Sequence, residues 1–165
     1  MRAAGVISPA LPNLRGKRPP LVAIGLMVLL ALAQPLRADL SRARAERNLE
    51  KRSGLALQNA ATACRNARTA YEKGEIDQVV AGAAEIEESV RLAYDSLLAT
   101  GKDARKSPKW FKKAEIDTRD LLRKIEALQQ QMSFDDRRHL EGVKATVQHI
   151  HDELLLGLMQ GKKKA

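Results

Sequence analysis

The chain has 165 residues, 29 basic and 20 acidic side chains, a formal charge of +9 and only 3% aromatic residues. Its single cysteine, Cys64, excludes a disulfide framework, a c-type haem attachment and a four-thiolate zinc site. No Gly-rich phosphate loop, nucleophile elbow or zinc-peptidase helix occurs, so the sequence carries no familiar signature of nucleotide, hydrolase or metallopeptidase chemistry.

Residues 1–38 read as an address. Arg2, Arg15, Lys17 and Arg18 precede an apolar run of 13 residues from Leu21 to Ala33. That run is shorter than the roughly 20 residues a membrane-crossing helix needs, and it has the length of a signal-peptide core. Cleavage is expected after Ala38, with Leu36 and Ala38 at the −3 and −1 positions; Ala31 and Ala33 define the alternative site. The export route ends in the periplasm or outside the cell, and an uncleaved leader reaching Leu36 would instead leave an N-terminal membrane anchor. No cysteine near either site offers a lipid attachment point. The leader holds five basic residues and no acid, so its removal leaves 24 basic and 20 acidic residues, a net charge of +4. Most of the basicity belongs to the address, and export argues against a nucleic-acid partner.

Residues 39–165 are rich in Ala, Leu, Glu, Lys, Arg and Gln, and Pro108 is their only proline. This composition favours helix. The expected fold is all-α, an antiparallel four-helix bundle made of two helical hairpins, 40–100 and 108–160, joined by a linker 101–107 and followed by a basic tail 161–165. Two hairpins that complete their cores only in a homodimer are the alternative.

The first helix is expected over about 40–73, with Leu49, Ala56, Leu57, Ala60, Cys64, Ala67 and Tyr71 on one stripe. Gly54 is expected to weaken it. Cys64, among alanines, reads as a small core residue. Gly74 fits the position that ends a helix, and Glu75 and Asp77 suit the next N-terminus. The second helix, about 75–100, has its stripe on Ile76, Val79, Val80, Ala83, Ile86, Val90, Ala93, Tyr94 and Leu97. Ser107 followed by Pro108 predicts a hydroxyl cap and a proline in the first turn. The third helix, about 108–132, places Phe111, Ala114, Thr118, Leu121, Leu122, Ile125, Leu128 and Met132 inward. Ser133 and Asp136 resemble a capping box for a fourth helix over about 134–160, whose stripe is Leu140, Val143, Val147, Ile150, Leu154 and Leu158. Because the third and fourth helices hold most of the bulky residues, their hairpin is expected to be the firmer one.

The segment Ala70 to Val80, with Tyr71 before Lys73-Gly74-Glu75, resembles the turn of a tetratricopeptide repeat. Such repeats recur about every 34 residues, and here that interval lands on Gly101–Lys106, which does not match. The segment Glu115 to Leu122 is similar to the opening helix of helical chorismate mutases. The convergent arginines, lysine and acid of that enzyme have no recognisable counterparts, so no catalytic residue and no enzyme activity is expected.

Three histidines raise a metal reading. His149 and His151 project to different helix faces, and His139 lies about 15 Å along the helix from His149. His149 or His151 with Asp152 is the weak metal candidate. A ferritin-like Glu-x-x-His pair is absent. Met132 and Met159 leave a haem carrier as a remote possibility, with no methionine in the first helix to complete it. No cofactor is expected. The strongest candidate surface is Arg105, Lys106, Lys109, Trp110, Phe111, Lys112 and Lys113, where cations surround the only adjacent aromatics. It suits an anionic surface or an envelope protein, and peripheral contact with a membrane. The expected function is an exported, non-catalytic binding or scaffolding protein of the cell envelope; a small-ligand, metal or haem carrier is the alternative.

Overall fold

Residues 40–160 are described by a computed structural model; the leader, its cleavage sites and the Lys162–Lys164 tail lie outside them. Among the described residues five helices follow in order: α1 (Ser41–Ala45), α2 (Leu49–Glu72), α3 (Ile76–Ala99), α4 (Pro108–Gln131) and α5 (Arg138–Gln160). There is no strand among the described residues.

The first helix is interrupted earlier than Gly54. It breaks between Ala45 and Leu49, because Asn48 is extended and its Oδ1 accepts from the Lys51 N–H at 2.9 Å, capping a new helix. Leu40, at the N-cap of α1, and Ala43 within it are buried, so this segment packs against the core. At the end of α2, Gly74 takes φ +76°, the Gly74 N–H reaches Tyr71 O at 2.9 Å and the Glu75 N–H reaches Ala70 O at 2.9 Å. This pair of bonds is the glycine-terminated helix stop the sequence foretells. Gly101, at φ +69°, ends α3 in a related way.

Two expected caps differ. The Ser107 hydroxyl makes no capping bond; Asp103 organises the linker instead, its Oδ1 accepting from the N–H groups of Arg105 at 2.9 Å and Lys106 at 3.3 Å. The fourth helix begins at Arg138, not near Phe134. Ser133 and Asp136 do pair, but they close a turn ahead of α5, and Phe134 is left 86% exposed.

All the long helices bury one face in a shared core that includes Ile86, Leu97, Leu121, Ile125, Leu128 and Leu140. The α4 stripe is buried as expected from Phe111 to Met132. On α3, Val80 proves 44% exposed, while Ser89 and Ser96 are buried with their hydroxyls bonded to the carbonyls of Glu85 and Leu92. The helices of the first hairpin come close at Gly82, where an added Cβ would stand 3.0 Å from the Ala67 Cβ. Small residues, not bulk, make that interface intimate.

The neighbours are set by contacts between the hairpins. α2 packs beside α3 and α4, α5 packs beside α3 and α4, α3 and α4 meet only lightly, and α2 and α5 do not meet. Glu87 on α3 accepts from Thr146 on α5 at 3.3 Å, and Tyr94 on α3 lines the same cleft as Glu153 on α5. Both pairs are 59 positions apart, so α3 and α5 run parallel. The two hairpins therefore lie side by side in the same orientation, with the Gly101–Ser107 linker carrying the chain across to the opposite corner. The hairpin recurs after about 60 residues, from Leu49 to Pro108, and not after 34.

Candidate functional site

Stacking the hairpins in parallel segregates charge. On α2, Lys51, Arg52, Arg65 and Arg68 outnumber Glu50 and Glu72; on α4, six cations outnumber four acids. The α2–α4 layer sums to +4. On α3, Asp77, Glu85, Glu87, Glu88 and Asp95 face one Arg91, and α5 adds three acids against two cations. The α3–α5 layer sums to −5. Neither hairpin alone has such asymmetry, since each contributes one helix of either sign.

The expected surface patch lies where α4 begins. Arg105, Lys106, Lys109, Lys112 and Lys113 are all exposed, Trp110 is half-buried and Phe111 is buried at 6%. The structure thus separates the two aromatics: Phe111 belongs to the core, and Trp110 lies at its edge. Lys109 Nζ stands 5.4 Å from the Trp110 ring centroid, a cation–π contact at an exposed site. Lys113 pairs with Asp117 at 2.7 Å, one turn on. Lys112 shares the outer face of α4 with Arg119 and Arg123, so the patch runs on as a basic strip.

The metal candidates are not brought together. His149 is exposed, and Asp152 accepts a hydrogen bond from Gln148 Nε2 at 2.8 Å. His151 is partly buried. It turns inward against α4, with Nδ1 3.3 Å from Thr118 Oγ1 and 4.0 Å from Glu115 Oε1. Thr118 is fully buried and Glu115 is 8% exposed, with Arg119 at 3.5 Å on its solvent side. This polar cluster joins α4 to α5 and leaves no buried side-chain polar atom unpartnered among the described residues. No group of three or more metal-ligating side chains occurs among the described residues. None of the described helices is long and apolar enough to cross a membrane.

Among the described residues, the concavities beside the core include these two. One, of about 390 Å³, lies between α2 and α4 and is lined by Cys64, Ala127 and Leu128 below and Arg65, Arg68, Asp120, Arg123 and Lys124 above. Burial pushes the Cys64 thiol above its ordinary value, while Lys124, Arg65 and Arg68 pull it back. The other, of about 300 Å³, lies at the linker end, among Tyr94, Leu98, Phe111, Leu154 and Leu156 with Glu153 and Lys102 at its edge. The first groove escapes sequence reading because its cations sit on the outer positions of two helices 60 residues apart. Only the parallel pairing of α2 with α4 unites them. No family model, curated protein or solved structure matches the chain.

Proposed function

We propose that the chain is an exported, non-catalytic protein of the cell envelope that docks through the basic outer face of α4 onto an anionic surface. In this reading residues 1–38 direct export to the periplasm or beyond and are removed, and the four long helices form a self-contained bundle of two hairpins. The observation that supports it is the charge segregation between the α2–α4 layer and the α3–α5 layer. A surface of one sign attracts an oppositely charged surface over about 8–10 Å at physiological salt, and the acidic layer behind it orients the approach. Trp110 and Lys109 lie where such a face would touch an interface, one ring edge apolar and one cation beside it.

The test is sedimentation of the full chain with vesicles of phosphatidylglycerol or of phosphatidylcholine. Binding to the first alone, reversed by salt and lost in Lys109→Glu/Lys112→Glu, is the expected result. Equal sedimentation with both lipids defeats the docking face. An intact N-terminus on protein retained in the cytoplasm defeats export. A second reading, a carrier of a small ligand, is favoured by one observation, the groove between α2 and α4.

A further inference from the structure

We infer that the groove between α2 and α4 binds a small amphiphile with a single anionic head group and an apolar body. This assignment rests on the carrier reading, and its rim shares Arg123 with the basic strip of α4.

The groove has the size of a small-molecule site, about 390 Å³ against the usual range of roughly 300–1,000 Å³. Its floor is apolar: Cys64, Ala127 and Leu128 are small or aliphatic where the two helices meet. Its rim holds four cations and one acid, Asp120. The cations have weak prior commitments. Arg65 donates to the neutral Thr62 hydroxyl at 2.9 Å, Arg68 stands 3.6 Å from Glu72, and Arg123 stands 3.4 Å from Asp120. Such exposed or long pairs contribute little and are readily exchanged for a ligand carboxylate or phosphate. Lys124 makes no ion pair among the described residues and acts on the floor, since its charge is felt at Cys64. An apolar floor under a cationic rim recognises both halves of an anionic amphiphile at once, and guanidinium groups hold such heads by paired hydrogen bonds.

The cleft at the linker end provides the contrast. It is smaller, about 300 Å³, and also largely apolar, but Glu153 stands at its edge and its one cation, Lys102, is held by Glu50 at 2.6 Å. An anionic head there would meet a carboxylate and a cation already paired. The preference for the α2–α4 groove is therefore electrostatic, and the test must vary the sign of the head group while holding the apolar body constant.

The experiment is isothermal titration of the purified full chain with decanoate, decanol and decyltrimethylammonium, each below its micelle concentration. Decanoate is expected to bind at one per chain and roughly tenfold or more tighter than decanol, with no saturable binding of the cationic amphiphile. The doubly substituted Arg68→Gln/Lys124→Gln chain should lose roughly tenfold in decanoate affinity at unchanged helicity, because both side chains are exposed and leave the core intact. Ala127→Trp, which fills the floor, should abolish the site. Equal affinity for decanoate and decanol overturns the anionic class and leaves a carrier of neutral ligands. Failure of all three to bind overturns both the class and the carrier reading. Decanoate binding that neither variant weakens places the ligand elsewhere and overturns the groove.

Discussion

Tyr71 and Asp136 are 65 residues apart in the chain, and the Tyr71 hydroxyl donates to Asp136 Oδ2 at 3.3 Å. The Tyr71 hydroxyl oxygen in turn accepts from the Ser133 N–H at 2.8 Å, while the Ser133 hydroxyl donates to Asp136 Oδ2. One phenol at the end of α2 thus closes the turn between α4 and α5. It ties the first hairpin to the second at the end opposite the Gly101–Ser107 linker. Tyr71→Phe keeps the ring and removes these bonds, one of them to a carboxylate. The expected loss is about 1–2 kcal/mol, read as a lower urea midpoint at unchanged slope. An unchanged midpoint would show that water replaces the hydroxyl without cost.

The two valines at the start of α3 test the register of that helix. Val79 is fully buried and Val80 is 44% exposed, although periodicity alone places both on the apolar stripe. Val79→Ala is expected to cost about 2 kcal/mol through lost burial and an unfilled space. Val80→Ala should stay within about 0.5 kcal/mol of the parent. Equal costs would mean that α3 is rotated from the described position.

Glycines on different sides of the molecule should respond with opposite sign. Nothing lies within 4 Å of a Cβ added at Gly54, so Gly54→Ala should stabilise α2 by about 0.5–1 kcal/mol. At Gly82 the added atom meets the Ala67 Cβ at 3.0 Å and the Ala63 carbonyl at 3.5 Å. Gly82→Leu should therefore force α2 and α3 apart and cost about 1–3 kcal/mol or more. Thermal unfolding followed by circular dichroism separates the two.

Alkaline pH should weaken the fold. Burial raises the Cys64 thiol above its ordinary 9.0, against the pull of Lys124, Arg65 and Arg68. Burial also raises the Tyr94 phenol above 10.0, aided by the nearby Glu153 and Asp95 and by its bond to Glu153. In each case the unfolded chain releases its proton first, so above that point the native state holds more protons and stability falls with pH. The contribution is intact below about pH 9 and declines as pH rises through the thiol and then the phenol range. Urea midpoints measured from about pH 8 to about pH 10.5 should fall, and fall less in Cys64→Ala/Tyr94→Phe. A flat profile, or one with equal slope in the variant, would contradict these environments.

Helix content was legible in the sequence because it is local. Apolar residues three and four apart, Gly74 and Gly101 at helix ends and Pro108 at a helix start placed the ends of the long elements to within a few residues, apart from the start of α2. The errors were local too, in the form of competing caps. Asn48 opened α2 where a longer helix was expected, Asp103 displaced Ser107 as the organiser of the linker, and the Ser133–Asp136 pair shaped a turn before α5.

What the sequence by itself determined is a set of amphipathic helices, most of the apolar stripe on each, and a net charge whose excess sits in residues 1–38. Tertiary structure alone decided which helices are neighbours. Periodicity orients a helix towards a core but carries no information about the partner across it, because any apolar stripe can serve any other. Pairing α2 with α4 and α3 with α5 gathered like charges into two layers. It also brought Arg65 and Arg68 to Arg123 and Lys124 over the Cys64 floor, while the packing of α4 on α5 turned His151 inward onto Glu115 and Thr118. The sites follow from that pairing, which depends on how small residues and bulky ones fit in three dimensions.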